Sequence, residues 1–475
     1  MKFLDKIFGA FKKKKRKRGF GAAEVSRLMA SLASETEYIN NTLRWELKTL
    51  RARSRQAAQN NPFARKFAKM VVNNVCGPNP FKFQAKSKKK NGTLDKTANA
   101  KIESQWKLWN NRRNCDLTNR NTWSALQRLI VNTLAVDGEA LVRIYRGPDY
   151  GKFGYQLQII DTDRLDEMKN ESLANGGAIH MGVEVDSINK PVAYHLLKKK
   201  PSEWQNYYTR EYERVPAGEI IHLFIPEFPE QVRGIPWMYA AMVNLVNIGG
   251  FEEAAVIAAR IGAAQMGFIQ APDDGQSFDY DGEDTQGNPQ ITAEPGMFPV
   301  LPEGYSVSGW NPKYPDAAID PFLKACLRGV SSGLDVAYHN LSGDMNGVNY
   351  SSARIAELGE RDSWMTVQNF VSEHLHQDIY EDWLVMQVLT GNLAFNFAAI
   401  DKYKDVYWQG RRWAWVDPLK EVNAKVVALE NRLTSRTRVI AETGNDIEEV
   451  ESEINQEKPI AKDSNSPKVE EDEET

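Results

Sequence analysis

Between Ala64 and Val75 the apolar residues Ala64, Phe67, Ala68, Val71, Val72 and Val75 return at spacings of three and four, which lines one face of a helix. Gly77 and Pro78 predict its end. Residues 22–60 carry the same period with polar positions interleaved, and 102–109 and 122–134 predict two further helices. Alternation then replaces the helical period. LVRIYRG, YQLQIIDTDRL, HMGVEVDS, PVAYHLL and EIIHLFI have the β-branched, half-buried character of strands separated by Gly, Pro and Asn turns. The first 225 or so residues therefore predict an α+β domain.

After Pro236 a long helix is expected from Trp237 to about Met266, dense in small residues such as Ala241, Gly249, Gly250, Ala254, Ala255, Ala258 and Ala259. Small side chains permit close helix packing but bury little against the chain's own fold, so neighbours in an assembly are expected to cover this helix. Residues 271–312 contain Asp273, Asp274, Asp279, Asp281, Glu283, Asp284 and Glu294 with no Lys or Arg. They read as an acidic module inserted between helices. Helical pattern returns over 321–338, LSGDMNGVNYSS (341–352) interrupts it, and a long amphipathic helix follows over 353–389 with Ser351 or Ser352 as its expected cap. Leu419, Val422, Val426, Leu429 and Leu433 step by alternating threes and fours, a short heptad seam.

Composition narrows the class. The 475 residues, 42% hydrophobic and 26% charged, are enough for a sizeable core. Three cysteines, Cys76, Cys115 and Cys326, are too few and too scattered for a disulfide framework or a CxxC metal site, which suggests a reducing compartment. No continuous apolar run approaches the length of a membrane span. The net charge of −3 conceals a basic head and an acidic tail. Residues 1–18 hold nine Lys/Arg, and an apolar stripe of Phe3, Leu4, Ile7, Phe8 and Phe11 precedes the basic block, while 458–475 read as a disordered acidic tail.

Candidate chemistry is sparse. Gly329, Ser331 and Gly333 spell GxSxG, but the nucleophile elbow needs a strand before the serine, and FLKACLR has helical period. His374 and His376 fall at i and i+2 on a helix and cannot share a metal; His374 with Asp378, at i and i+4, could, but a lone pair of that kind is more often a surface hydrogen bond, so no metal or cofactor is expected. Gly147, Gly151 and Lys152 are one residue short of a Walker A loop and lack its Ser/Thr. The KSKKK loop (86–90) and the basic head leave nucleic-acid contact open, without the broad positive surface of a tight binder. Two rival readings are a serine hydrolase using Ser331 and a peripheral membrane or nucleic-acid-associated protein acting through its amphipathic basic N-terminus.

The runs LRARSRQAAQNNPFARKFAKMVVNNVCG, IHMGVEVDSINKPVAYHLL, RVPAGEIIHLF, VRGIPWMYAAMVNLVNIGGFEEAAVIAARIGAAQMGFI, LDVAYHNLSGDMNGVNYSSARIAELGERDSWM and WVDPLKEVNAKVVALENRLTSRTRVIAETGND, taken in order, resemble the lambda family of tailed-phage portal proteins from about residue 50 to 450. The resemblance implies no enzyme, but an α+β portal fold of wing, helical stem, small inserted clip and helical C-terminal crown. It places a basic N-terminal arm at 1–18, wing at 19–235, first stem helix at 236–268, acidic clip at 269–312 and second stem helix at 313–340. A channel loop at 341–352, a long helix returning to the wing at 353–416 and a crown at 417–457 complete the plan. It implies a ring, twelve-fold in virions, at the unique capsid vertex, through which double-stranded DNA is packaged and ejected. Expected partners are further copies of the chain, the terminase large subunit, scaffold and major capsid protein, and a head-completion or neck protein. Ser342, Asp344, Asn346, Asn349 and Tyr350 are the residues expected nearest the DNA. Asp273, Asp274, Asp279, Asp281, Glu283 and Asp284 are expected to meet partners at the clip.

Overall fold

The computed structural model describes residues 37–78, 81–174, 176–198, 210–263, 267–270, 282–283, 289–290, 306–309, 319–413, 418–443, 445 and 447–457. The basic head, the acidic tail and most of the 271–312 module lie outside the described residues.

Two helices open the described chain, α1 (Ile39–Asn60) and α2 (Pro62–Val75). Asn61 separates them and caps the second, its side-chain oxygen accepting from Phe63 N at 3.0 Å and Ala64 N at 3.1 Å, with Pro62 at the first helical position. The face anticipated from spacing is the buried one: Ala64, Phe67, Ala68, Val71 and Val75. Strand β1 (Lys82–Ala85) follows, then α3 (Lys96–Trp109) and α4 (Trp123–Asp137).

The strands form two main sheets. β2 (Glu139–Arg146) lies between β3 (Tyr155–Ile160) and β9 (Ile220–Phe224), and a five-stranded antiparallel meander runs β4 (Glu171–Ser172), β5 (Ala178–His180), β6 (Val183–Val185), β7 (Pro191–Leu197), β8 (Tyr212–Pro216). Gly147 and Gly151 belong to the β2–β3 hairpin turn and not to a phosphate loop, and both take positive φ.

The chain then leaves this body on α5 (Met242–Ala263) and comes back on α6 (Ile319–Gly333). Between them β10 (Gly267–Gln270) pairs antiparallel with β13 (Ser306–Gly309), and β11 (Gly282–Glu283) with β12 (Pro289–Gln290). A five-residue helix, α7 (Tyr338–Ser342), leads to α8 (Tyr350–Val371), one π-helical turn (Ser372–His376) and α9 (Gln377–Leu389). Strand β14 (Val406–Gln409) pairs with β1, and α10 (Pro418–Glu430), α11 (Arg436–Glu442) and α12 (Ile447–Gln456) finish the described chain.

The core explains why the last third returns to the first. Trp106 of α3 meets Trp109, Tyr380, Trp383 and Trp408 with ring centroids 4.8–5.8 Å apart, so α9 and β14 close over the helices that precede the sheets. Aromatic rings bury the largest areas and gain further from edge-to-face contact.

Three boundaries differ from the spacing-based expectation, and one strand pair was not readable. The helix after Pro236 starts at Met242, behind a 3-10 turn over Tyr239–Ala241. The 321–338 helix stops at Gly333, because Asp335 takes φ 53° and turns the chain before α7. Asn349, not Ser351 or Ser352, caps α8, its side-chain oxygen accepting from Ser352 N at 2.8 Å. The β1–β14 pair escapes sequence reading because four-residue strands more than 300 positions apart leave no local period.

Candidate functional site

The helices α5 and α6 stand side by side but are covered unevenly. Ala241, Leu245 and Ile248 hold the root of α5 in the core. At Gly333 of α6 an added Cβ would meet Ala241 N at 3.3 Å and Ala240 C at 3.4 Å, so glycine permits the contact at the root. Farther out, Phe251 and Phe322 join the helices with ring centroids 4.8 Å apart. The rest of α5 is bare: Val243 and Val246 are 69% and 66% exposed, and Val256 and Ile257 about half. A Cβ added at Gly249 or Gly250 would meet nothing within 4 Å. Glycine inside a helix costs about 0.5–1 kcal/mol relative to alanine, and nothing in the described fold requires it there.

The span Tyr239–Arg260 is long and apolar enough, by length and composition, to cross a bilayer, and only 17% of its most apolar window is buried. Exposed apolar faces of this kind mark interaction surfaces.

At the body end of the rod lies the segment joining α7 to α8. Glu360 of α8 pins its start, accepting from Ala337 N (3.0 Å), Asn340 Nδ2 (2.8 Å) and Trp364 Nε1 (3.0 Å). Ser342 donates inward to Tyr338 O at 2.7 Å, and its oxygen accepts Asp344 N at 3.1 Å. Asp344 accepts Asn346 N at 3.0 Å and Tyr338 Oη at 3.1 Å and lies 3.4 Å from Lys324 Nζ. The Asn346 amide first, with Tyr338 and Lys324 opposing slight desolvation, holds the Asp344 carboxyl below its ordinary pKa. The outward side chains are therefore Met345, 63% exposed, Asn346 and Asn349. The fold brings Ser342, Asp344 and Asn346 into one turn, Asn349 caps the next helix, and Tyr350 begins it.

A buried charge network fixes the body from which this apparatus projects. Glu139, fully buried, receives Arg233 (2.5 Å), Arg51 (3.2 Å) and His222 Nε2 (3.0 Å). Burial pushes its pKa up, but the Arg233 guanidinium and the His222 hydrogen bond outweigh that and hold it well below the carboxylate range. Arg51 also pairs with Glu167 and Asp163, and Arg55, one turn on, bridges Asp137, Asp161 and Asp163. Two glycines admit the arrangement: a Cβ at Gly138 would sit 2.1 Å from the Ile235 carbonyl carbon, and one at Gly234 would sit 2.1 Å from Gly138 O. Sequence reading missed this network. Its trace is Arg51 and Arg55 at i and i+4 on an otherwise amphipathic helix.

The catalytic alternative fails on geometry. Ser331 lies inside α6, 3% exposed, and donates to Leu327 O at 2.9 Å, so the GxSxG string forms no strained strand-to-helix turn. His374 stacks on Phe370, whereas His376 is buried among Phe81, Trp408 and Trp123. Among the described residues no group of three or more His, Cys, Asp or Glu is placed to hold a metal. Of the acidic residues expected to meet partners, Glu283 is in β11, while Asp273, Asp274, Asp279, Asp281 and Asp284 lie outside the described residues.

The described chain is thus an inward-satisfied body carrying a bare small-residue rod. Comparison with known proteins names the family. Residues 25–368 match the family model for phage portal protein, lambda family, and the chain belongs to that family. It is 34% identical over 418 residues to the "Probable portal protein" of Halomonas phage phiHAP-1, covering 86% of this chain and 80% of the relative. It is 22% identical over 385 residues to "Portal protein B" of Escherichia phage lambda, covering 74% and 71%. A solved chain from the neck of a native gene transfer agent particle, computed with C12 symmetry, aligns at TM-score 0.48 and 14% identity over 84% of this chain and 93% of that one. The chain is thus a phage portal protein.

Proposed function

We propose that this chain assembles into a ring of twelve copies at the unique capsid vertex, with α5 and α6 lining up beside the same helices of neighbouring copies around a DNA-wide lumen. The bare rod carries the reading. Gly249 and Gly250 leave room for a neighbouring helix to approach closely, and Val243, Val246, Val256 and Ile257 supply apolar area that association removes from water. A closed ring of heterologous contacts covers such a face on every copy at once. The residues before α5 would form the wing, α5 and α6 the stem, the intervening acidic segment the clip, and α10 to α12 the crown.

In this arrangement the 341–352 segment, rooted at the stem, reaches toward the axis. Asn346 and Asn349 offer amides, and Ser342 and Asp344 shape the turn, so a passing duplex meets weak polar groups and no phosphate clamp. That suits a conduit, because each neutralised phosphate adds affinity and therefore friction. Packaging by a terminase, capture by a neck protein after filling, and contacts of Asp273, Asp274, Asp279, Asp281, Glu283 and Asp284 with those partners follow from the same placement. Electron microscopy and native mass spectrometry of the purified chain test it. Rings of roughly 650 kDa, twelve times 53.8 kDa, are expected. A chain that stays monomeric under all assembly conditions, or binds liposomes through α5, overturns it.

A further inference from the structure

A surface of single sign runs from the turn after β1 along the outer side of α3. Residues 86–120 contain ten Lys/Arg and three carboxylates, and each carboxylate is engaged. Asp95 accepts Lys402 Nζ at 2.6 Å and caps α3 through Ala98 N. Glu103 accepts Ala85 N at 2.9 Å. Asp116 accepts Thr118 N, Arg120 N and Asn121 N in its own turn. Because α3 buries Ala98, Ile102, Trp106 and Trp109, its outward half carries Lys96, Lys101 and Lys107, continuing Lys88, Lys89 and Lys90. All six are exposed, and among the described residues none has an ion-pair partner. The fourteen residues of α3 make this stripe about 20 Å long.

We propose that the stripe is a docking surface for the chain's own acidic run, Glu470, Glu471, Asp472, Glu473 and Glu474. Charge complementarity is the first support: the run holds five consecutive carboxylates, and the stripe's own carboxylates are already engaged. The second is where the described chain leads. Gln409 of β14 donates to Ala441 O at 2.6 Å, and Lys82 of β1 donates to Asn445 Oδ1 at 3.4 Å. Lys86, Arg438, Asn445 and Ile447 line one cavity of about 270 Å³. The start of α12 thus lies against the short strand that leads directly into Lys88.

Reach is sufficient. Glu470 stands thirteen residues beyond Glu457, and that length of chain extends up to about 45 Å. Four strand residues and the following turn account for about 15–20 Å of the path, and α12 for about 15 Å. Exposed ion pairs are individually weak, but tethering raises the acidic run to an effective concentration of the order of millimolar at the stripe. An outside acidic partner would have to bind without that advantage. The docked run screens a polycationic face that would otherwise grip nucleic acid.

Carbodiimide cross-linking of the intact full-length protein, mapped by mass spectrometry, tests the contact. Links from residues 470–474 to Lys88, Lys89, Lys90, Lys96, Lys101 or Lys107 are expected, falling at least about fivefold in about 0.5 M salt and, for Lys88–Lys90, absent in the triple variant Lys88→Gln, Lys89→Gln, Lys90→Gln. Links falling elsewhere, or none, overturn the proposal. Binding of an oligonucleotide duplex at low salt gives a second readout. Deleting residues 458–475 is expected to tighten binding roughly fivefold or more in the wild-type background and to have no effect in the triple variant. Equal affinity with and without those residues would make the stripe a nucleic-acid surface indifferent to the acidic run, and the proposal would fall. Neither readout requires ring formation, so this proposal can fail while the ring reading stands.

Discussion

The body around Glu139 and the rod formed by α5 and α6 solve opposite problems. In the body, Trp106, Trp109, Tyr380 and Trp383 are buried against one another, and Arg51, Arg233 and His222 converge on a carboxylate with no access to water. The rod shows exposed valines and two glycines with nothing opposite them. The body is finished by its own chain, whereas the rod is finished by copies of itself in the proposed ring. Substitutions in the body should therefore register as stability, and substitutions in the rod as assembly.

The largest effect is expected at the buried charges. Arg233→Met leaves Glu139 short of its principal partner, and breaking a buried pair on one side costs about 3–5 kcal/mol. Urea denaturation of the unassembled chain should show that loss, and a change below about 1 kcal/mol would remove the charge network from the account. Acid comes next. Burial alone lowers the His376 pKa to about 3, so the folded chain keeps this imidazole neutral while the unfolded chain protonates it below about 6.5. Its contribution is undisturbed above pH 6.5 and falls by about 1.4 kcal/mol per pH unit between 6.5 and about 3. Between pH 6.5 and 5 the wild type should lose roughly 2 kcal/mol that His376→Phe does not lose, as measured by urea melts at the two pH values.

The smallest changes in single-chain stability, and the sharpest separation of the two regions, are expected on the rod. Gly249→Leu and Gly250→Leu should leave the isolated chain as stable as before or up to about 1 kcal/mol more stable, through helix propensity. The same side chains would occupy the space a neighbouring helix needs, so rings should disappear from native mass spectra. Val246→Asp should act likewise by placing a charge in the interface, with little change in the melt of the monomer. Rings forming normally in all three variants would show that α5 faces no neighbour.

Legibility in the sequence followed the range of the interactions. The buried face of α2, the strands β2, β3, β7 and β9, and the small-residue helix after Pro236 were all readable, because each rests on spacings within a few residues. The residues of the 341–352 segment were recognised as a break, but not that Ser342 and Asp344 would use their polar groups within the turn. That depends on Lys324 arriving from α6 and on Tyr338 at the start of α7. Lys86–Lys90 read as a loop, and its continuation along α3 appeared only when Glu103 was seen to turn inward.

The sequence by itself determined the helix faces, the strand alternation, the acidic insertion and the family, since these are carried by residue type at short spacing. Tertiary structure alone decided that Glu139 would meet Arg51 and Arg233 from 88 and 94 positions away, that β1 would pair with β14, and that Gly249 and Gly250 would face open space. The reason is physical. Local periodicity specifies which side of an element is apolar, but which distant side chain covers that side, or whether any does, is settled only when the whole chain competes for the same buried volume.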